Sequence, residues 1–232
     1  MTRNTKEDAV RHLRSAVLAT VAIALCAAPP AGAHDPHPGH AVVTPSNGKL
    51  LGEYWAQIYS LPVSENPFAG NGDPCLTVAR GVLQEAIGGV TCTVEQGTAF
   101  TTAWTTACSD VDPPPFFGAD KAAQRACALA ADEATIRALQ LSVDGGPPID
   151  IHRRRFESVS PQRTVQLPED NLLGIDPRTA TLTVHGWGAV VRNLAIGQHI
   201  VTLEAGFADG GSFSFPHFIT VMPGRHAGAL DG

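Results

Sequence analysis

The sequence predicts a mainly β domain, an antiparallel β-sandwich or jelly-roll-like fold with an N-terminal helix and one mid-chain helix. Three observations carry this prediction. From residue 136 onward, short apolar runs with strand-like alternation follow one another at close spacing. Turn signals stand between them at Asp144-Gly145, Asp176-Pro177, Ile196-Gly197 and Asp209-Gly210-Gly211. Four cysteines lie in the body of the chain, an even set that reads as disulfides. Composition agrees: of 232 residues, 44% are hydrophobic and only 16% charged, with 23 Gly and 18 Pro. That balance excludes a coiled coil, a collagen and a highly charged disordered chain, and leaves a turn-rich globular domain.

The first 33 residues read as a secretory signal peptide. Arg3, Lys6, Arg11 and Arg14 precede an apolar run over Ser15–Ala28, and Ala31-Gly32-Ala33 follows as a small-residue cleavage site. The apolar run is shorter than the ~20 residues a spanning helix needs, so no transmembrane anchor is expected once the signal is removed. Residues 34–47 (His34 onward) are rich in His and Pro without periodicity and read as a flexible arm. Ser46 is placed to cap a helix running to about Ser60. In it Leu50, Tyr54 and Ile58 form one apolar stripe, and Leu51, Trp55 and Tyr59 its neighbour. Pro62 ends that helix.

Residues 64–74 are loop by their Asn, Gly and Pro content. Strands are expected near Thr77–Leu83, Gly89–Val94 and Ala99–Thr105, and a proline-rich loop over Ser109–Gly118. The stretch Ala119–Ala134 is Ala-rich, free of Gly and Pro, and predicts a helix with Asp120 at its start. Ile136–Val143 and a return strand Ile149–Val159 flank the Asp144-Gly145 turn. Further strands fit Arg163–Leu167, Thr179–His185, Gly188–Leu194, Gln198–Ala205 and Ser212–Val221. One disulfide-stapled domain thus covers 48–222, followed by a Gly-rich frayed tail over 223–232.

Three connectivities are open to Cys75, Cys92, Cys108 and Cys127. Sequential pairing, Cys75–Cys92 and Cys108–Cys127, closes the shorter loops and is preferred; each bond stabilises by ~3 kcal/mol in the chain-entropy description. The absence of a CxxC spacing argues against a zinc ribbon or a redox pair.

The segments GEYWAQIYSLPVSENPF (52–68), SVDG (142–145), QLPEDNLLG (166–174) and GQHIVTLEA (197–205), with the cysteine-bracketed stretch between the first two, occur in a recognisable order. In this the chain resembles a group of secreted bacterial proteins with a Trp-bearing N-terminal helix and a β-sandwich C-terminal half. The resemblance spans roughly 48–222. That group's helix carries more tryptophans; here Tyr54, Ile58 and Tyr59 surround Trp55. His185-Gly186-Trp187 stands where the group has Gly-Tyr-Trp. The resemblance implies the fold alone, for the group has no assigned activity and transfers no catalytic residue.

Several constellations could carry chemistry. His34, His37 and His40, beside a new N-terminus at His34, could collect copper or zinc. Asp110, Asp112 and Asp120 flank the proline loop without the spacing of an EF-hand. Glu169 and Asp170 are the carboxylates most placed for acid–base work in a glycan-active hydrolase, with Glu53 and Glu65 behind them. Trp187, between glycines, is a ligand-stacking candidate whose alternative is a buried core ring. Arg153-Arg154-Arg155 falls in an expected strand, where alternation would split the patch. With a net charge of −6 there is no basic surface for nucleic acid.

The functional expectation is a secreted, non-catalytic binding or envelope-associated module whose partner is a cell-wall glycan or an envelope protein. The alternatives are the Glu169/Asp170 hydrolase and metal capture by the histidine arm.

Overall fold

A computed structural model describes residues 41–224. Two sheets face each other. The first contains β1 (Val42–Pro45), β2 (Cys75–Ala79), β3 (Val82–Glu85), β5 (Ala99–Ser109), β8 (Glu157–Val159), β9 (Arg163–Gln166) and β10 (Thr179–Arg192). Its order is β1-β10-β5-β3-β2, with β8 and β9 also paired to β10. The second runs β4-β12-β11-β6-β7, from β4 (Thr91–Glu95), β6 (Ile136–Val143), β7 (Ile149–Asp150), β11 (Gly197–Phe207) and β12 (Ser212–Met222). The mainly β sandwich is therefore as predicted. All pairs are antiparallel except β3 with β5 and β12 with β4.

The helices α1 (Gly48–Ser60) and α2 (Lys121–Thr135) lie on opposite faces of the first sheet. The cap of α1 is Asn47, whose side chain accepts from Leu50 N–H at 3.1 Å, rather than Ser46. Ser46 is instead buried, its N–H donating to Gly188 O. Leu51 and Tyr59 of α1 pack on Leu167, Leu182 and Val184, and Leu50, Tyr54 and Ile58 on Val78, Val82 and Val190. The other face carries the main core. There Phe100, Trp187, Ala189 and Val191 meet Leu139, Leu141, Val201, Leu203 and Ile219 of the second sheet. Each large apolar side chain buried this way contributes roughly 2 kcal/mol. Past the end of the second sheet that same face is covered by α2. Its Gln124 reaches Thr181 and Thr183, and its Asp132 reaches Thr106 and His185. Asp120 caps α2, accepting from Ala122 and Ala123 N–H.

Both disulfides pair as expected. Cys75–Cys92 joins β2 to β4, and so one sheet to the other, with Cα atoms 5.7 Å apart. Cys108–Cys127 ties β5 to α2 at 6.2 Å. The Asp144-Gly145 turn is formed with φ of 51° and 69°, the left-handed pair a two-residue hairpin requires.

Five local expectations are corrected. The arm expected over 34–47 ends early, because Val42–Pro45 pairs with Ala189–Arg192; residues 34–40 lie outside the described residues, as do 225–232 of the tail. The strand expected over Thr77–Leu83 is the hairpin β2–β3, turned at Gly81 with φ 68°. The strand expected over Gly89–Val94 starts only at Thr91. The two strands expected at Thr179–His185 and Gly188–Leu194 are one strand, β10. Its Gly186 marks close approach instead of a break between strands, since a Cβ there would lie 2.1 Å from Trp104 O. The return strand Ile149–Val159 breaks after Asp150 into a 3-10 turn at Arg154–Phe156 and resumes as β8 in the other sheet. The arginine run is thus the crossing between sheets. Arg153 pairs with Asp150 at 2.9 Å and Arg155 lies over the Phe156 ring, whose burial anchors the crossing.

Candidate functional site

A groove runs along one edge of β5. On its other side β5 is paired with β10 from Phe100 to Ser109 without a register shift. On the groove side β3 covers only Ala99–Thr101, and the proline loop returns only at Ser109, whose N–H donates to Phe116 O and whose carbonyl accepts from Gly118 N–H. Between these two contacts residues 102–108 form the floor. Two connected hollows of about 330 and 490 Å³ lie along it, sharing Trp55, Phe68 and Thr105.

The walls are aromatic. Trp55 of α1 donates its indole N–H to Thr105 Oγ1 at 2.8 Å, which fixes the ring over the β5 edge. Phe68, 44% exposed, stacks on it with centroids 5.7 Å apart and planes at 21°. Opposite, Trp104 meets Phe207 and Phe215 edge-on at 5.3 and 6.0 Å, and Phe213 lies 4.2 Å from Phe215. Phe116, Leu172 and Leu173 line the far end.

Polar groups are few. In the 490 Å³ hollow, Thr102 Oγ1 lies 3.0 Å from His217 Nε2, and His217 Nδ1 lies 2.7 Å from Glu85 Oε2. Val90 N–H donates to the other Glu85 oxygen at 3.1 Å. The carboxylate therefore fixes the orientation of the imidazole and turns Nε2 toward the threonine hydroxyl. This is the hydroxyl–imidazole–carboxylate order of acyl-transfer sites. Thr102 is only 3% exposed, however, and as built the three groups form a polar anchor in the wall. Beside it Gln84, 4% exposed, buries its Oε1 with no hydrogen-bond partner among the described residues. At the other end the Asp112 carboxylate accepts from Tyr59 O–H and Ser109 O–H. Burial pushes Asp112 above the ordinary carboxylate range, against the lowering effect of those two hydrogen bonds. Burial, then the Asp112 charge, pushes Tyr59 well up, and burial followed by the Glu85 charge does the same to Tyr54.

The residues singled out from sequence stand elsewhere. Glu169 and Asp170 lie exposed on a turn held by Asn171, whose amide donates to the Pro168 and Ile175 carbonyls; neither lines the groove. Trp187 is 6% exposed in the inter-sheet core, against His152 and His185, so its faces are already covered. Asp110 accepts from Thr181 N–H and O–H, Asp112 serves Tyr59, and Asp120 caps α2. No three metal-ligating side chains cluster among the described residues. His34, His37 and His40 lie outside them. Glu53 is engaged by Arg163 and Glu65 is exposed. The groove polar set escaped sequence reading because it joins positions 84, 85, 102 and 217. Its one local signal was His217, an imidazole at an inward position of an alternating strand.

A second histidine cluster lies under α2. His185 is fully buried, with Nδ1 2.7 Å from Asp132 Oδ2 and Nε2 3.2 Å from Glu157 Oε1. Thr106 O–H donates to Asp132 Oδ1 at 2.6 Å. Burial lowers the His185 pKa, but the hydrogen bonds to Asp132 and Glu157 outweigh it and the net shift is upward.

The two disulfides fit an extracellular or otherwise oxidising compartment, and no described helix is long and apolar enough to cross a membrane. No known protein family matches the chain, and no curated protein does. Among solved structures, amebosin in solution is similar over 61% of this chain and 96% of its own, with 12% identity and a TM-score of 0.23. PbICP-C, solved in complex with falcipain-2, is similar over 61% of this chain and 98% of its own, with 8% identity and a TM-score of 0.26. At such scores neither likeness carries an argument about this chain.

Proposed function

We propose that this chain is a secreted, non-catalytic binding module of the cell envelope, and that its ligand lies in the groove along β5. The observation supporting this reading is the groove lining. Half-exposed Trp55, Trp104 and Phe215 and exposed Phe68 present ring faces and edges around a small polar set already fixed by internal hydrogen bonds. Rings left uncovered in a pre-formed hollow of this size are what a binding site keeps for its ligand. Export is supported by the N-terminal signal features and by the need for oxidised cysteines.

The partner is a cell-wall glycan or an envelope protein seated on that aromatic surface. The test is titration of the purified protein with isolated cell-wall polysaccharide and with solubilised envelope protein, read by tryptophan fluorescence. Trp187 is covered, so a change reports Trp55 and Trp104. Trp55→Ala with Phe68→Ala removes one wall and is expected to weaken binding at least tenfold, as loss of an aromatic anchor does. Binding that is unchanged in this double variant places the ligand elsewhere and overturns the reading.

A further inference from the structure

We infer that the groove takes an extended polypeptide segment, which adds to the first sheet as a further strand along β5. The inference rests on the groove being the binding site and names the class of its occupant. The main chain carries it. In an antiparallel ladder successive residues direct their N–H and C=O alternately to one neighbour and to the other side. Ala99 N–H goes to Gly81 O, and Ser109 N–H goes to Phe116 O, so the odd-numbered residues of β5 face away from β10. The register between these two residues is unbroken. Ala103, Thr105 and Ala107 therefore direct three N–H and three C=O groups into the groove, and none has a hydrogen-bond partner among the described residues.

Six backbone groups at this repeat are matched by another strand. A ligand that covers them without matching them leaves donors and acceptors dry, at about 1–3 kcal/mol each. Aromatic walls alone suit a sugar or a lipid; a row of strand-spaced amides between those walls suits a peptide. From Ala103 to Ala107 the floor spans about 13 Å at a rise of ~3.3 Å per residue, room for five or six residues of partner.

Side chains of the added strand alternate between two apolar sides, Trp55 and Phe68 on one and Trp104 and Phe215 on the other. Both sets are therefore apolar or aromatic. Among the described residues the lining has two carboxylates, Glu85 and Asp112, and neither lysine nor arginine, so the bound segment carries no acidic residue. The buried, unpartnered Oε1 of Gln84 at the β3 end accepts a hydrogen bond from it, from a backbone N–H or a hydroxyl.

The test uses the intact disulfide-bonded protein and a pool of capped hexapeptides randomised over Val, Ile, Leu, Thr, Phe and Tyr, each ending in Lys, at about 1 mM total. Backbone amide exchange is read by NMR. In the free protein the amides of Ala103, Thr105 and Ala107 exchange fast, and those of Trp104 and Thr106, which face β10, exchange slowly. With the pool the three fast amides slow by about tenfold or more. N-methylation of the peptide at alternate positions abolishes this, while methylation at the intervening ones does not. If the three amides stay fast while cell-wall glycan shifts the tryptophan fluorescence, the occupant is a glycan; the strand proposal fails and the binding reading stands. If neither probe perturbs Trp55 or Trp104, both fail. If the three amides are already protected in the free protein and this protection falls on dilution, the edge is filled by a second copy of the chain and the proposal is overturned.

Discussion

His185 and His217 use the same parts to different ends. Each imidazole faces the inner side of its sheet, and each shares a polar cluster with a threonine of β5. His185 lies between two carboxylates under α2, and Thr106 bonds Asp132. His217 has one carboxylate, Glu85, and Thr102 itself on its free nitrogen, in the wall of the groove. With carboxylates at both nitrogens a histidine holds its proton and braces a helix. With one carboxylate and one hydroxyl it is held in one orientation and stiffens a binding surface. The number of acidic neighbours separates a strut from a site wall.

Variants separate the two clusters. The largest effect is expected for Asp132→Ala, which leaves His185 Nδ1 and the Thr106 hydroxyl without their shared partner and should cost about 3–5 kcal/mol by chemical denaturation of the oxidised protein. Ligand affinity per folded molecule should not change. Next, removing the second disulfide in Cys108→Ala with Cys127→Ala should cost about 3 kcal/mol. Amide exchange should rise along α2, whereas β12 around His217 stays protected. Glu85→Gln should cost less, roughly 1–2 kcal/mol, because one buried hydrogen bond is mismatched and none of the chain is released. It should weaken groove binding in the tryptophan titration, which Asp132→Ala does not. Equal effects of the two on binding would erase the distinction between His185 and His217.

The smallest effect is in pH dependence. The His185 pKa is raised on folding, so its contribution is complete below its ordinary value of 6.5 and is lost as pH rises through the folded value. Unfolding free energy followed from mildly acidic to mildly alkaline pH should fall across that window. In Asp132→Asn the fall should be shallower. The raised pKa of Asp112 acts in the same direction but starts from 3.8, in a lower window.

Local rules carried much of this fold. Both helices, the Asp144-Gly145 turn and the disulfide pairing follow from spacing and composition. The failures share a cause, which is that partners distant in sequence decide the outcome. Thr179–His185 and Gly188–Leu194 look like two strands until Trp104 O of β5 is placed 2.1 Å from the space a Gly186 Cβ would fill. Ile149–Val159 looks like one strand until its halves must serve different sheets. The groove was the least legible feature. It exists because β3 stops at Glu85 and the proline loop returns only at Ser109, and no local pattern states where a neighbour ends. Trp55 was visible as helix surface, but its pairing with Phe68 and Thr105 was not.

The Cys75–Cys92 bond closes a short stretch of chain whose strands sit at the rim of both layers. β2 and β3 flank the first sheet beside β5, and β4 flanks the second beside β12. A single covalent ring thus hems both sheets at once. Where thiols are kept reduced, that tie is lost, and with it the roughly 3 kcal/mol that closing a loop of this length supplies. The redox state of its surroundings therefore sets how firmly the two layers are held together at this rim.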